Sequence, residues 1–136
     1  MDKFVFEFEG EGIECVYDNG KWVACIKNWK PNNDIESIER LEVHHESDEQ
    51  FILVKGKAIL LLAESKDSFD NTKLIPMEIG KIYNVPKENW FNTITEQNTK
   101  LMYVQDAGTT DKNSEYCYFT EEQKNRIYKE AKNFWK

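Results

Sequence analysis

The feature that most constrains this chain is a succession of short segments in which apolar and polar residues alternate, separated by turn-forming residues and never broken by a helical period. From residue 41 onward such runs cover 41–45, 49–55, 57–63, 73–78, 81–85, 92–95 and 100–105. A two-residue period places one side of each run inward and the other outward, as in a half-buried strand. Many short strands at nearly regular spacing favour an antiparallel β-sandwich or jelly roll over an alternating β-α-β fold. The same period appears earlier. Phe4, Phe6 and Phe8 fall on one side of a strand expected near the start, and Ile13, Cys15 and Tyr17 repeat the alternation. Asp18-Asn19-Gly20 then supplies residues that tolerate positive φ, and the pattern resumes over 22–26, so a hairpin is expected there. The polar stretch 29–39 loses periodicity and reads as a long connection over one end of the barrel.

The last segment changes character. Thr120-Glu121-Glu122-Gln123 matches a capping box, and Ile127, Tyr128, Ala131, Phe134 and Trp135 recur at helical spacing behind it. A C-terminal α-helix over 120–135 is therefore expected, docked on the barrel or used as a contact between copies. The 136 residues suffice for one domain with one core. A single domain over 1–136 is expected, with N-terminal strands in 1–30 and a barrel core in 41–105.

A formal charge of -7 argues against electrostatic capture of nucleic acid or an anionic membrane, which leaves small ligands or protein partners. No run approaches the roughly 18 apolar residues of a membrane span, and the start lacks the basic flank and apolar core of a signal peptide. A cytoplasmic location is expected. Cys15, Cys25 and Cys117 are odd in number and lack CxxC spacing, which suggests reduced thiols rather than a disulfide framework or a zinc site.

Within this all-β pattern, Glu42-Val43-His44-His45-Glu46-Ser47-Asp48-Glu49 is followed by Gly56, with six residues between Glu49 and the glycine. A second stretch carries Gly80 and Pro86 at a matching interval, then Glu88, Phe91 and Thr95. Together these resemble the two motifs of the cupin superfamily, the first running H-x-H, three or four residues, E, six residues, G, and the second G-x5-P-x-G-x2-H-x3-N. The register that selects His44 puts Glu42 in the first histidine position, and the register that selects His45 puts Val43 there. The first is preferred because a carboxylate can serve as a metal ligand and valine cannot. In the second motif Glu88 replaces the glycine, Phe91 the histidine and Thr95 the asparagine.

The resemblance implies a cupin-like jelly-roll barrel, commonly a homodimer, with a divalent metal held by three histidines and a glutamate. Carried onto this chain, the ligands are Glu42, His44, Glu49 and Phe91. Phenylalanine offers no lone pair, so at most one imidazole and two carboxylates remain, and His45 joins them only by swinging inward. The resemblance thus implies that no cofactor is used, with a divalent metal as the alternative. Without metal, His44 and Glu49 form a hydrogen-bonded pair that keeps the glutamate ionised, while His45 reads as a solvated corner.

Phe51, Tyr83, Trp90, Phe91 and Tyr103 lie on or beside barrel strands, and read either as core filling or as the apolar walls of a ligand pocket. There is no G-x-S-x-G elbow, phosphate-binding loop, dinucleotide fingerprint or HExxH. The leading functional expectation is a cupin-type protein that binds a small molecule, sugar-like or carboxylic, without the usual metal centre. The alternatives are a metal-dependent isomerase, lyase or dioxygenase using the reduced ligand set, and a metal-free enzyme using His44 and Glu49 for proton transfer.

Overall fold

The computed structural model describes residues 4–136. Among these residues ten strands and one α-helix, with three short 3-10 turns between them, follow one another as β1 (Ile13–Asp18), β2 (Trp22–Asn28), β3 (Arg40–His44), β4 (Glu49–Lys55), β5 (Ala58–Ala63), β6 (Lys73–Pro76), β7 (Ile82–Val85), β8 (Trp90–Thr95), β9 (Lys100–Asp106), β10 (Ser114–Tyr118) and α1 (Glu121–Phe134). They form two five-stranded antiparallel sheets, ordered β1-β2-β9-β4-β7 and β10-β3-β8-β5-β6. This is the sandwich with a C-terminal helix that the alternation called for. No helix among the described residues is long and apolar enough to cross a membrane.

Two apolar layers follow from strand parity. Phe51, Leu53, Leu60, Phe91, Leu101 and Tyr103 meet between the sheets. Leu41, Val43, Ile59, Leu61, Trp90 and Ile94 point the other way, out from the second sheet, and are covered by Phe69, Phe119 and the helix residues Ile127 and Ala131. Because β5 is covered on both faces, Ala58-Ile59-Leu60-Leu61-Leu62-Ala63 is continuously apolar. The helix starts where the capping box put it: Gln123 N–H donates to Thr120 Oγ1 at 3.1 Å, and Thr120 N–H donates to Gln123 Oε1 at 2.9 Å. It docks on the barrel through that second layer.

Three expectations need correction. The described residues of the first segment, 4–9, contain no strand; residues 1–3 lie outside the described residues. Phe6 instead rests on Tyr17, which rests on Trp22, with ring centres 5.6 and 5.4 Å apart. The Phe8 carbonyl accepts from the side chains of Asn28 and Lys100. Side-chain donors and ring stacking hold this segment where a strand ladder would have. Second, Cys15 and Cys25 are joined as a disulfide. The β1–β2 hairpin makes them direct register partners with Cα atoms 4.0 Å apart, so the odd count hid one pair plus the lone Cys117. Third, the stretch after β9 contains a tenth strand, β10, paired along β3. Its sequence Ser-Glu-Tyr-Cys-Tyr buries little on either face, so no apolar alternation announced it.

Candidate active site in the polar half of the barrel

On β3, Arg40, Glu42 and His44 share the face opposite Leu41 and Val43, and that face looks between the sheets. This is the parity of the preferred motif register. β4 brings Glu49 against them. His44 Nε2 lies 3.0 Å from Glu49 Oε1 and 3.8 Å from Glu42 Oε2, and His44 Nδ1 lies 2.7 Å from Ser114 Oγ on β10. A chamber of about 220 Å3 opens onto this group, walled also by Lys27, Tyr103, Gln105 and Tyr116. Next to it is a smaller chamber of about 60 Å3 that shares Lys27, Arg40 and Glu42 and reaches Asn33.

Burial governs the electrostatics. Burial alone lowers the affinity of His44 for its proton, but the hydrogen bond to Glu49 and the charges of Glu49 and Glu42 outweigh it, holding the imidazole above its ordinary pKa. Burial pushes the Glu49 carboxyl up, against the pull of His44. Both groups thus hold protons more tightly than in water, and a proton lies between His44 Nε2 and Glu49 Oε1 while Ser114 Oγ bonds Nδ1. Lys27 is fully inside, 6% exposed, and donates to Thr93 Oγ1 at 3.0 Å. Desolvation lowers its pKa to about 8, with Lys30 adding to the effect and Glu42 and Glu49 opposing it. Tyr103 is pushed well up by burial and by the two glutamates, so its phenol stays protonated.

The sequence-derived candidates are distributed unevenly. Glu42, His44, Glu49 and Tyr103 line the larger chamber. Phe91 lies beneath it, its ring at 60° to that of His44 with centres 5.4 Å apart, and is backed by Phe51 at 5.9 Å. Trp90 faces the opposite way, against Phe69 under the helix. Tyr83 is at the far edge, its hydroxyl accepting from the Glu78 N–H at 2.8 Å. His45 is outside the barrel, between Glu88 at 2.8 Å and Glu115 at 2.6 Å, and these carboxylates hold its imidazole above the ordinary pKa.

Sequence reasoning missed Lys27, Ser114, Gln105 and Tyr116. Lys27 carried a signal, because it shares strand parity with Val23 and Cys25, both buried. A lysine on the inward side of a strand is a buried charge with a reason. Ser114 and Tyr116 ride on the strand that left no pattern. Among the described residues, Gln105 Oε1 and Thr109 Oγ1 of the larger chamber and Asn33 Oδ1 of the smaller one are buried without a hydrogen-bond partner. Buried polar atoms are nearly always hydrogen-bonded, so these three are placed to bond water or a ligand in the chambers.

The metal implied by the motif resemblance meets an ill-suited donor set. One imidazole is present, both of its ring nitrogens are hydrogen-bonded, and the ring of Phe91 fills the position of a further histidine. The Lys27 ammonium adds a positive charge to the same chamber. Among the described residues no cluster of three or more His, Cys, Asp or Glu side chains is arranged to hold a metal ion.

No protein-family model matches the chain, and no curated protein matches it. Solved structures do. A histidine-to-glutamine variant of Streptomyces Pac13 with uridine is 9% identical with a TM-score of 0.60, covering 90% of this chain and 93% of that one. Pac13 is described as a nucleoside dehydratase. KdgF from Halomonas sp. is 12% identical with a TM-score of 0.52, covering 77% of this chain and 89% of that one. A mutant of Bacillus subtilis oxalate decarboxylase OxdC is 14% identical with a TM-score of 0.52, covering 71% of this chain and 24% of that one. With its two five-stranded antiparallel sheets, helix-covered outer face and polar chamber between the sheets, this chain has the cupin fold.

Proposed function

We propose that this chain binds a small hydroxylated molecule of nucleoside size in the polar half of the barrel and eliminates water from it without a metal. The observation that carries this reading is the buried His44–Glu49 pair, 3.0 Å apart, facing an open chamber with a second carboxylate 3.8 Å away. Elimination of water needs a base to take a proton from carbon and an acid to protonate the departing hydroxyl. The His44 imidazolium is the acid, held in place by Glu49 and Ser114. Glu42, partly open to the chamber, is the base. As the C–H proton passes to Glu42, its electron pair forms the new double bond, the C–O bond breaks, and the His44 proton leaves with the oxygen as water. Pac13, a nucleoside dehydratase of the same fold, supports the reaction class, and its complex with uridine supports the ligand size.

The test is binding followed by turnover. Calorimetry and ligand-observed NMR with uridine and related hydroxylated nucleosides should show binding to the wild-type chain. Mass spectrometry on the bound compounds should show loss of one water. His44→Gln and Glu42→Gln should keep binding within about tenfold and lose turnover by at least 100-fold, the range of acid–base catalysis. Turnover undiminished in both variants, or turnover that tracks added divalent metal, would refute the reading.

A further inference from the structure

The elimination chemistry above leaves Lys27 unused, although it is a buried charge in the same site. Its amine sits where the two chambers meet, since Lys27 lines both, and only the Thr93 hydroxyl accepts from it by hydrogen bond among the described contacts. Its backbone belongs to the β2 ladder, paired with Ile13 and Leu101, but its side chain is in neither apolar layer, so apolar packing does not explain a charge at this position. The charged and titratable groups around it are Glu42 and Arg40 from β3, Glu49 from β4, Lys30 beyond β2, and His44 and Tyr103 on the chamber wall.

We propose that the Lys27 amine is a nucleophile that captures the carbonyl of an aldehyde or ketone ligand in the larger chamber as an imine. The inference rests on this chamber being the small-molecule site and adds a class of substrate to it. The neutral amine attacks the carbonyl carbon, a C–N bond forms, and the C=O π pair moves to oxygen, which takes a proton from the His44 imidazolium. The nitrogen passes a proton to the neighbouring carboxylates. The hydroxyl then takes that proton back from the carboxylate and leaves as water, the nitrogen lone pair forms C=N, and the resulting iminium N–H proton returns to His44. One amine and one carbonyl compound give one imine and one water, with no change of oxidation state.

Two properties of the site favour this reaction. Desolvation keeps Lys27 near a pKa of about 8, so at pH 7.5 roughly a quarter of the amine is free, against ~0.1% for an ordinary lysine. Acid and base also stand in the same chamber, and the carbinolamine needs both to form and to lose water. An imine would in turn withdraw electrons from the adjacent carbon and acidify its C–H bond, which is the bond an elimination must break.

The test uses the full chain with glycolaldehyde and cyanoborohydride at pH 7.5, followed by digestion and mass spectrometry of every lysine. Reduction converts each imine to a stable secondary amine. Lys27 should be labelled at least tenfold faster than the exposed Lys57 and Lys112, and His44→Gln should slow Lys27 without changing the other two. Labelling of Lys27 no faster than the exposed lysines, or only after unfolding in urea, would overturn the proposal. Uridine added as competitor separates the two readings: slowing of Lys27 alone supports both. Fast labelling that uridine leaves untouched sustains the imine chemistry and counts against the nucleoside ligand.

Discussion

The pH dependence of stability should expose the cost of burying Lys27. Its pKa falls from 10.5 to about 8 on folding, so keeping the ammonium inside at neutral pH costs on the order of 3 kcal/mol relative to an exposed lysine. The sign is fixed by linkage. Between the folded and unfolded pKa values the unfolded chain holds a proton on this residue that the native chain has released, so stability rises with pH across that window. Integrated from pH 8 to 10, the gain is about 2 kcal/mol. Tyr103 works in the opposite sense but only from pH 10 upward, where the unfolded phenol ionises and the buried one does not. The assay is urea unfolding of the wild type and Lys27→Met at half-unit steps from pH 7 to 10, taking the difference in unfolding free energy so that groups common to both cancel. That difference should move in favour of the wild type by about 2 kcal/mol with unchanged m-values. NMR titration of the Lys27 side chain provides an independent reading in the native protein. A difference flat with pH, together with a titration near 10.5, would show that Lys27 is solvated and would remove the basis for its reactivity.

Two further outcomes follow from the structure. Gly56 has φ of +83°, and a Cβ there would lie 2.7 Å from both Thr99 Cα and Thr99 Oγ1, so Gly56→Ala should destabilise by about 2 kcal/mol or more in denaturant titration; a loss under half that would mean the β4–β5 turn relaxes freely. The His44 imidazole should titrate above 6.5 by NMR and fall in Glu49→Gln, since the Glu49 partner sustains the shift. Because its folded pKa is raised, its contribution to stability is complete below pH 6.5 and fades as pH rises through the folded value; an unchanged titration in the variant would refute the pairing.

The sandwich was legible because its strands obey the two-residue period, and the motif spacing around Glu49 and Gly56 marked the inward face of β3 and β4. That period also carried information left unused. Trp90 and Phe91 are consecutive in β8, so they cannot both line one cavity, and the structure sends Trp90 to the helix side. Lys27 stands on the parity of Val23 and Cys25. The remainder had no local signature. The Ser114–Tyr118 strand is partly solvated on both faces, and the Cys15–Cys25 pairing depends on hairpin register, which a bulge between Cys15 and Tyr17 shifts by one residue. Such features are set by partners distant in sequence, and a window of neighbours holds no trace of them.

The register of β2, β9 and β4 also dictates the shape of a ligand. Gln105 pairs with Glu49 on one side and Val23 on the other, whereas Lys27 pairs with Leu101. Lys27 and Gln105 therefore stand four positions apart along the strands, roughly 13 Å at the usual rise, yet both line the larger chamber. The lining is thus spread along this diagonal, with Lys27 toward one end and Gln105, whose Oε1 has no partner in the chain, toward the other. A single sugar ring is too short to satisfy both ends, while a ring joined to a base with an N–H donor spans them. The base of uridine has one N–H donor, and an acceptor that gains a donor contributes about 1 kcal/mol, so uridine should bind about fivefold more tightly than ribose by calorimetry. Gln105→Leu should erase most of that margin and leave ribose unaffected, because it removes an acceptor only the far ring reaches. Equal affinities for the two compounds, or a variant that weakens both alike, would mean the far end of the chamber is not used.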